Sequence, residues 1–390
     1  MQNKDPRRKP IWSSVAVCSG LHQFVVGVCE SADVAVPVVL AIDGNSLVHR
    51  SFHAQARTAT PGDLRPSWAV RGVLTQLVAA VDRVQPSVVV VGFDDPDRSQ
   101  RRERWPQYKA NRIEKLDTLV TQLASAVEVL RGLGLAVHVP EGLEADDVLA
   151  STAAAARRAG GRTVIVTSDR DSFSLIDDTT SVLRIINGGV EASPLLTPER
   201  LMILLGVRPD QYRDFAALRG DPSDNLPGVR GIGPRTAAAV LSTTGSARAA
   251  FDDLDAVEKA HGRGVARRLA EPGARDAWEL NCQVMTMHAD LALPFDLTTG
   301  TGVLPLDAGT VGEIYRGHDL TWTITDALRA LAGVAPATQT APRTITSPWG
   351  NPSHAVDPWI RHSQPNPRRS TPRPKPAPAR PKLEQLALFD

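Results

Sequence analysis

The chain has 390 residues, 42% of them hydrophobic and 5% aromatic, which is enough for a sizeable core in one large domain or two modest ones. Its formal net charge at pH 7 is +1, so any field that attracts a nucleic acid must be local. Its three scattered cysteines (Cys18, Cys29 and Cys282) exclude a disulfide framework and a cysteine metal site, and no apolar stretch reaches transmembrane length.

The first 36 residues carry no clear structural signal. Basic residues at positions 4 and 7–9 precede a mildly apolar stretch, residues 11–29, that loosely imitates a signal peptide. His22 and Gln23 interrupt this stretch, and no A-x-A-type cleavage site follows it. We therefore expect a poorly ordered extension over residues 1–36, and a cytoplasmic protein with no membrane segment.

Apolar strand-like runs alternate with helix-type segments over residues 37–196. The predicted strands are Val36–Ile42, Ser87–Phe93, Leu135–Val139 and Thr163–Thr167, and the predicted helices are Ser67–Val84, Ile113–Gly132 and Asp146–Ala159. Continuous apolar strands that alternate with helices are typical of a parallel sheet covered on both faces. The sequence therefore predicts an α/β core with a mostly parallel central sheet flanked by helices.

A second region begins near Thr197, where Thr-Pro-Glu-Arg has the pattern of a helix start. Residues 197–333 are mostly helical in pattern and contain a glycine-rich turn, Gly228–Gly233. Residues 334–383 are rich in Pro and Arg and too polar to build a core, which predicts a disordered linker. The last residues, 384–390, are apolar again.

Acidic residues follow the predicted strands. Because the C-terminal ends of parallel strands lie along one edge of a sheet, these carboxylates should converge. Crowded bare carboxylates raise one another's pKa, and a hard divalent cation resolves that conflict. Oxygen-only ligands favour Mg²⁺ or Mn²⁺, and two such ions can activate a water and stabilise the leaving oxygen of a phosphodiester. Any single Asp could instead be a helix cap or turn residue, as Asp146 and Asp147 could be. The nine candidates are Asp43, Asp94, Glu144, Asp146, Asp147, Asp169, Asp171, Asp221 and Asp224.

A basic stretch follows the second predicted strand. Its charged members are Arg98, Arg101, Arg102, Arg104, Lys109, Arg112 and Lys115. If the segment is helical, Arg101, Lys109 and Arg112 share one face with Trp105. A cationic face with an aromatic ring, beside a metal site, suits a phosphate backbone and a base that stacks. The alternative is a solvated helix face.

The glycine turn precedes a plausible helix, Thr236–Leu241. Glycines allow tight turning and close approach of a phosphate, and the first turn of a helix offers free N–H groups. A simple helix–helix turn explains the same residues when they are taken alone.

Six stretches carry a family pattern in its order and spacing. They are Ile42–Ala54, Gly92–Asp94, Tyr108–Arg112, Glu144–Ala150, Thr167–Asp171 and Gly220–Gly233. Together they resemble the 5′ nuclease family, which includes the N-terminal nuclease domain of bacterial DNA polymerase I, phage 5′ exonucleases and flap endonucleases. The resemblance covers about residues 37–333 and implies a PIN-like fold with a helix-turn-helix-type DNA-binding module. It implies a stand-alone, monomeric, nucleoid-associated flap endonuclease or 5′–3′ exonuclease that clears flaps or RNA primers in DNA replication and repair.

The resemblance also implies a role for each group of residues. The nine acids match the family's metal-binding acids, and Lys109, Arg101 and Arg112 match basic residues that contact the scissile phosphate. Residues 98–116 would form part of an arch over the single-stranded 5′ end. The turn is similar to a helix-turn-helix variant that grips duplex DNA, often with a K⁺ ion on backbone carbonyls. Its residues here are Gly228, Arg230, Gly231, Gly233, Arg235 and Thr236.

Two positions depart from the family pattern. The usual Tyr before the family's Arg, here Arg50, is replaced by His49, and imidazole stacks less strongly on a base. The common Lys after the turn is Arg235, which can keep a phosphate contact.

The C-terminal peptide resembles the segment that docks in the bacterial sliding clamp. Its anchors are Gln385, Leu386, Leu388 and Phe389, on a flexible tether that would raise the local concentration of enzyme at DNA. A tail that packs back on the domain is the alternative.

Two other functions compete with a catalytic DNA nuclease. One is a non-catalytic DNA-structure binder tethered to the clamp, and the complete set of nine acids argues against it. The other is a PIN-type ribonuclease, which is expected to lack the Asp221–Gly233 module present here.

Overall fold

The computed structural model describes residues 36–56, 67–294 and 296–335. The expected N-terminal extension, the linker and the clamp-binding peptide lie outside the described residues, apart from a few positions at their boundaries. None of the helices in the described ranges is long and apolar enough to cross a bilayer.

The main sheet has six strands in the order β3-β2-β1-β4-β5-β6, with only the edge strand β6 antiparallel. Its strands are β1 Val38–Asp43, β2 Val88–Gly92, β3 Ala136–His138, β4 Arg162–Thr167, β5 Thr180–Arg184 and β6 Leu195–Leu196. The expected α/β class and mostly parallel sheet are confirmed, and the four predicted strands match to within two residues at each end. Strands β5 and β6 were not among the predicted elements.

In the described parts of residues 44–192, the α/β layer contains six helices. They are α1 Gly44–Ala56, α2 Trp68–Val84, α3 Gln100–Arg104, α4 Asp117–Gly132, α5 Ala145–Arg158 and α6 Gly189–Ala192, with a 3₁₀ turn at Asp171–Leu175. Helix α4 begins four residues later than predicted, because Ile113 and Leu116 remain exposed and add nothing to its buried face.

Alternate residues of the central strand point to opposite layers, as the two-residue repeat of a strand requires. Leu40 and Ile42 of β1 pack in a core with α2 and α4, whereas Ala41 packs with Leu149 of α5 on the other face. Burial on both faces is why β1 and β2 consist almost entirely of apolar residues.

A helical region follows, as predicted from Thr197. Thr197 caps α7, its side chain accepting a hydrogen bond from the backbone N–H of Arg200, and Pro198 occupies the first helical position. A short hairpin, β7 Gly220–Asp221 and β8 Leu226–Pro227, encloses a 3₁₀ turn at Pro222–Asp224. The helices are α7 Pro198–Leu205, α8 Pro209–Arg219, α9 Pro234–Thr244, α10 Ala247–Asp252, α11 Leu254–His261, α12 Arg263–Leu269 and α13 Ala274–Val284.

The last two helices, α14 Ala308–Gly317 and α15 Ile324–Ala332, return to the α/β layer. Tyr315 is fully buried, and its hydroxyl donates to the backbone carbonyl of Leu74 in α2 at 3.0 Å. Residues 308–332 therefore complete the core beside α2. The prediction that assigned them to the helical region 197–333 is wrong on this point.

Candidate active site

The acids predicted at the strand ends meet along one edge of the sheet. Asp43 is the last residue of β1, Asp94 follows β2, and Asp169 and Asp171 follow β4. These three strands are neighbours in the sheet, and α5 starts beside them, since the backbone N–H of Ala145 donates to Asp94 at 3.0 Å.

Asp43 is a buried acid at the end of the central strand β1. One carboxylate oxygen accepts from the backbone N–H of Ser46 at 2.8 Å, and the other accepts from the hydroxyl of Thr167 at 2.7 Å. Burial raises the pKa of Asp43 to about 7, with smaller contributions from the charges of Asp94 and Asp169, while both hydrogen bonds act in the opposite direction. Asp43 thus also caps α1.

Asp146 and Asp171 lie in the same crowded field. Burial raises the pKa of each well above its usual value, and the charge of Asp169 adds to both shifts. Oδ1 of Asp171 is buried and has no hydrogen-bond partner. An unpartnered buried carboxylate oxygen is costly unless a cation or a proton accompanies it.

The donor set fits a hard divalent cation. The converging side chains offer only carboxylate oxygens, and burial and mutual repulsion raise the pKa values of Asp43, Asp146 and Asp171. Within the described ranges, no three His, Cys, Asp or Glu side chains already form a ready-made metal site.

Glu144 connects the acids to the basic stretch. Its Oε2 accepts from Nζ of Lys109 at 3.1 Å and from the hydroxyl of Tyr108 at 3.0 Å. Burial alone would lower the pKa of Lys109, but the carboxylates of Glu144 and Asp224 outweigh it and raise the pKa. Lys109 therefore carries its charge at neutral pH, beside the acid cluster.

Asp221 and Asp224 come from the helical region and flank the same cluster. Burial raises the pKa of Asp224, although the cations Lys109 and Arg112 oppose the shift. Nη2 of Arg112 donates to Asp224 at 2.6 Å, and the backbone N–H of Lys109 donates to the carbonyl of Asp224 at 2.9 Å. Asp221 accepts from Ser223. The site spans both regions of the chain.

Asp147 and Arg101 lie differently from the other predicted site residues. The two side chains form a two-pronged ion pair, with both N–O distances 2.7 Å. Asp147 is fully buried and Arg101 is 7% exposed. Asp147 also completes a capping box with Glu144 at the start of α5, the alternative that the sequence left open. In this arrangement the polar atoms of both side chains bond to one another, to Glu144 and to backbone groups.

The basic stretch is not one helical face. Helix α3 ends at Arg104, and Lys109 has a left-handed backbone with φ 56°. Trp105 is half-buried, with the guanidinium of Arg104 4.7 Å from its ring centroid. The reason is a contact between segments distant in sequence: residues 107–111 are held to the loop at 222–225, where Asn225 donates to the carbonyl of Gln107. Lys109 and Arg112 still contact the acids, although they lie in a turn and not on the predicted helical face.

His49 and Arg50 lie on α1 near this edge. Burial, reinforced by the positive charges of Lys115, His53 and Arg112, lowers the pKa of His49 to about 4. Its imidazole is therefore neutral at pH 7. Burial also lowers the pKa of Arg50.

The glycine turn forms as predicted and leads directly into α9. Gly231 has φ 75°, and its carbonyl accepts from Nη1 of Arg268 in α12 at 2.7 Å. Arg230, Gly231, Gly233 and Arg235 are exposed, whereas Gly228 and Thr236 are half-buried. A Cβ at Gly228 would lie 2.2 Å from the backbone of Arg219, so this glycine is needed for packing.

Sequence reasoning assigned no role to three residues that position the acids. Thr167 orients Asp43, Tyr108 orients Glu144, and the side-chain amide of Asn45 donates to Asp94 at 2.9 Å. All three lie inside the motifs that carry the family resemblance. Their position beside an acid was the available signal, but polar neighbours of an acid are too common to be diagnostic.

Comparison with known proteins decides the family. Residues 38–202 match the 5′-3′ exonuclease N-terminal resolvase-like domain, and residues 207–304 match the 5′-3′ exonuclease C-terminal SAM fold. The chain belongs to the 5′-3′ exonuclease family. The two matched ranges cover the main sheet, most of α7 and the helices α8 to α13, and α14 and α15 lie beyond them.

Curated relatives of this 5′-3′ exonuclease family chain are much longer than it is. DNA polymerase I of Mycobacterium tuberculosis is 40% identical over 242 residues, which are 62% of this chain and 26% of that protein. The thermostable DNA polymerase I of Thermus aquaticus is 37% identical over 259 residues, 66% of this chain and 29% of that protein. The chain thus spans about a quarter of the length of these relatives.

Solved structures share the fold. The bacteriophage T5 5′-exonuclease with bound zinc superposes with a TM-score of 0.52 at 17% identity, covering 75% of this chain and 93% of that one. The T5 flap endonuclease in complex with DNA and metal ions gives a TM-score of 0.52 at 17% identity, covering 75% and 99%. These likenesses establish the architecture.

Proposed function

We propose that the chain is a divalent-metal-dependent nuclease that hydrolyses phosphodiesters at 5′ ends and 5′ flaps of DNA. The observation that carries the proposal is the set of buried carboxylates with raised pKa values at one sheet edge, beside the charged amine of Lys109. Membership of the 5′-3′ exonuclease family, and the T5 complex with DNA and metal ions, support this choice of substrate.

The acids divide by their contacts. Asp43, Asp94, Asp146, Asp169 and Asp171 are placed to hold the ions, with Asp221 and Asp224 on one flank and Glu144 on the other. Mg²⁺ or Mn²⁺ bound there would supply water activation and stabilisation of the leaving oxygen. Lys109 and Arg112 stand between the acids and solvent, where they orient the scissile phosphate and offset its charge.

The helical region would hold the duplex. The turn at 228–233 leads into α9, whose first turn offers backbone N–H groups, and the exposed Arg230 and Arg235 add positive charge. The expected K⁺ would need carbonyls at this turn, but the guanidinium of Arg268 already binds the carbonyl of Gly231, and its positive charge opposes a second cation there. We therefore assign the positive charge at this turn to Arg268 and not to K⁺.

The decisive experiment is cleavage of a 5′-labelled flap substrate in Mg²⁺, Mn²⁺ or EDTA. Wild type should cut near the junction in either metal and not in EDTA. Asp146→Asn should bind the flap and fail to cut it. A wild type that cuts in no metal would refute the proposed function, and cutting that survives EDTA would refute the metal requirement.

Two finer parts of the proposal concern partners. RNA primers annealed to DNA are candidate substrates, because the proposed site acts on the phosphodiester, which RNA and DNA share. The sliding clamp is a candidate partner through Gln385, Leu386, Leu388 and Phe389, and a cytoplasmic, nucleoid-associated monomer fits both roles. Clamp pull-down with wild type and with residues 385–389 deleted tests the second part, and equal recovery would refute it.

A further inference from the structure

Every polar atom of the Arg101 and Asp147 side chains is hydrogen-bonded, either within their ion pair or to neighbouring groups. A guanidinium has five N–H donors, and each of those of Arg101 has an acceptor. Two donate to Asp147 at 2.7 Å, one reaches Glu144 at 3.4 Å, and two bond to the backbone carbonyls of Val284 and Thr286 at 3.2 and 2.9 Å. No donor is left for a phosphate.

Asp147 is equally saturated. Its Oδ1 accepts from Arg101 and from the backbone N–H of His288 at 2.8 Å, and its Oδ2 accepts from Arg101 and from the backbone N–H of Glu144 at 3.0 Å. A carboxylate accepts about four hydrogen bonds. A metal ion could bind Asp147 only if this whole arrangement came apart.

These contacts join three parts of the molecule. Arg101 lies in α3, at the base of the basic stretch, and Asp147 lies in the first turn of α5, which also carries Glu144 and Asp146. The backbone partners at 284–288 are the residues by which the chain leaves α13 and the helical region. A second link lies nearby, since the hydroxyl of Ser151 in α5 donates to the carbonyl of His288 at 2.9 Å.

We propose that Arg101 and Asp147 are positioning residues that fix the helical DNA-gripping region in register with the acid edge, and that neither contacts the metal or the DNA. The inference rests on the proposed function for its cleavage readout. DNA held by the helical region then presents one particular phosphodiester to Asp146 and its neighbours. Breaking the Arg101–Asp147 pair would leave DNA binding intact, but it would let phosphodiesters on either side of the correct one reach the acids.

The test uses the full chain with Arg101→Gln, Asp147→Asn and the double variant. Each single variant leaves one buried charge without its partner, whereas the double variant leaves two neutral amides, so it should regain the unfolding temperature that the singles lose. Arg329→Gln is the matched control, because it breaks an exposed ion pair with Asp82 far from the site. If Arg101→Gln does not fold, Arg101→Lys replaces it in the test. This variant keeps the positive charge but cannot form the bidentate pair with Asp147.

Three readouts separate positioning from direct contact. We expect Mn²⁺ stoichiometry from titration to equal that of wild type in Asp147→Asn. We expect the slope of log Kd against log salt concentration for flap binding to be unchanged in Arg101→Gln. Cleavage should show a spread of cut positions around the junction and a kcat lower by about 10²-fold, with KM little changed, because a misplacement of about 1 Å costs that much.

Each contrary result overturns the proposal. Loss of one Mn²⁺ in Asp147→Asn makes it a ligand, and a slope smaller by about one in Arg101→Gln makes it a phosphate contact. A double variant that regains both stability and a single cut position shows a role in stability alone. The metal and salt readouts need no cleavage, so they still decide between positioning and direct contact if wild type does not cut, a result that would refute the proposed function alone.

Discussion

Replacing Asp43 by Asn should stabilise the metal-free protein at pH 8 while abolishing cleavage. The pKa of Asp43 rises from 3.8 to about 7 on folding, mainly because of burial. Each tenfold change in proton affinity is worth about 1.4 kcal/mol, so ionised Asp43 costs the fold up to about 4 kcal/mol. Between these two pKa values the folded chain binds the extra proton, so the free energy of unfolding falls as the pH rises from about 4 to 7.

The assay is urea unfolding in EDTA from pH 5 to 8. Wild type should lose stability across this range, whereas Asp43→Asn should lose less, and the difference between them should shrink toward pH 5 and close only near pH 4, the pKa of the unfolded carboxyl. Saturating Mn²⁺ should make wild type the more stable protein at pH 8, because the ion binds the ionised carboxylate of Asp43 and not the neutral amide that replaces it. The exposed Glu313→Gln on α14 is the control and should follow wild type. An Asp43→Asn protein that is less stable than wild type at pH 8 in EDTA would show that repulsion and burial do not dominate this edge.

Three further results are expected. Lys109→Ala, which removes the amine bonded to Glu144, should slow single-turnover flap cleavage by about 10²-fold with little loss of binding, and an unchanged rate would remove Lys109 from the chemistry. Gly220→Ala should lower the free energy of unfolding in urea by at least about 2 kcal/mol, because φ is 78° and the new Cβ would lie 2.2 Å from the backbone nitrogen of Gly228; equal stability would contradict this close approach. Arg268→Gln should make flap binding stronger in KCl than in tetramethylammonium chloride at equal ionic strength, whereas wild type should bind equally in both, and a wild type that prefers KCl would argue for a bound K⁺.

The convergence of the acids could be predicted because it depends on strand order and direction alone. Asp43, Asp94 and Asp169 follow strands whose apolar runs are unmistakable, and parallel strands place such ends together. The same reasoning could not separate Asp146 from Asp147. Adjacent residues at the start of a helix point about 100° apart, so one faces the cluster and the other faces Arg101.

The conformation of the basic stretch could not be predicted from its spacing. Spacing predicted a shared helical face, but α3 stops at Arg104 because the following residues bond to the 222–225 loop, which is far away in sequence. Likewise, no local pattern shows that Tyr315 returns to α2. Long-range hydrogen bonds of this kind decide both cases, and a single sequence does not display them.

The return of α14 and α15 to the α/β layer has a consequence for how the protein is made. Arg71 of α2 donates to the carbonyl of His318, and Leu331 lies fully buried in the same core as Leu74. Helix α2 is synthesised early, but it completes its packing only after α14 and α15 have been synthesised. While the ribosome is still translating the helical region, the surface of α2 that packs against α14 and α15 has no cover, and the sheet layer reaches its final packing only after residue 332 has emerged. A nascent chain halted near residue 304, where the family match ends, should expose that surface and bind chaperones that a chain halted beyond residue 332 does not.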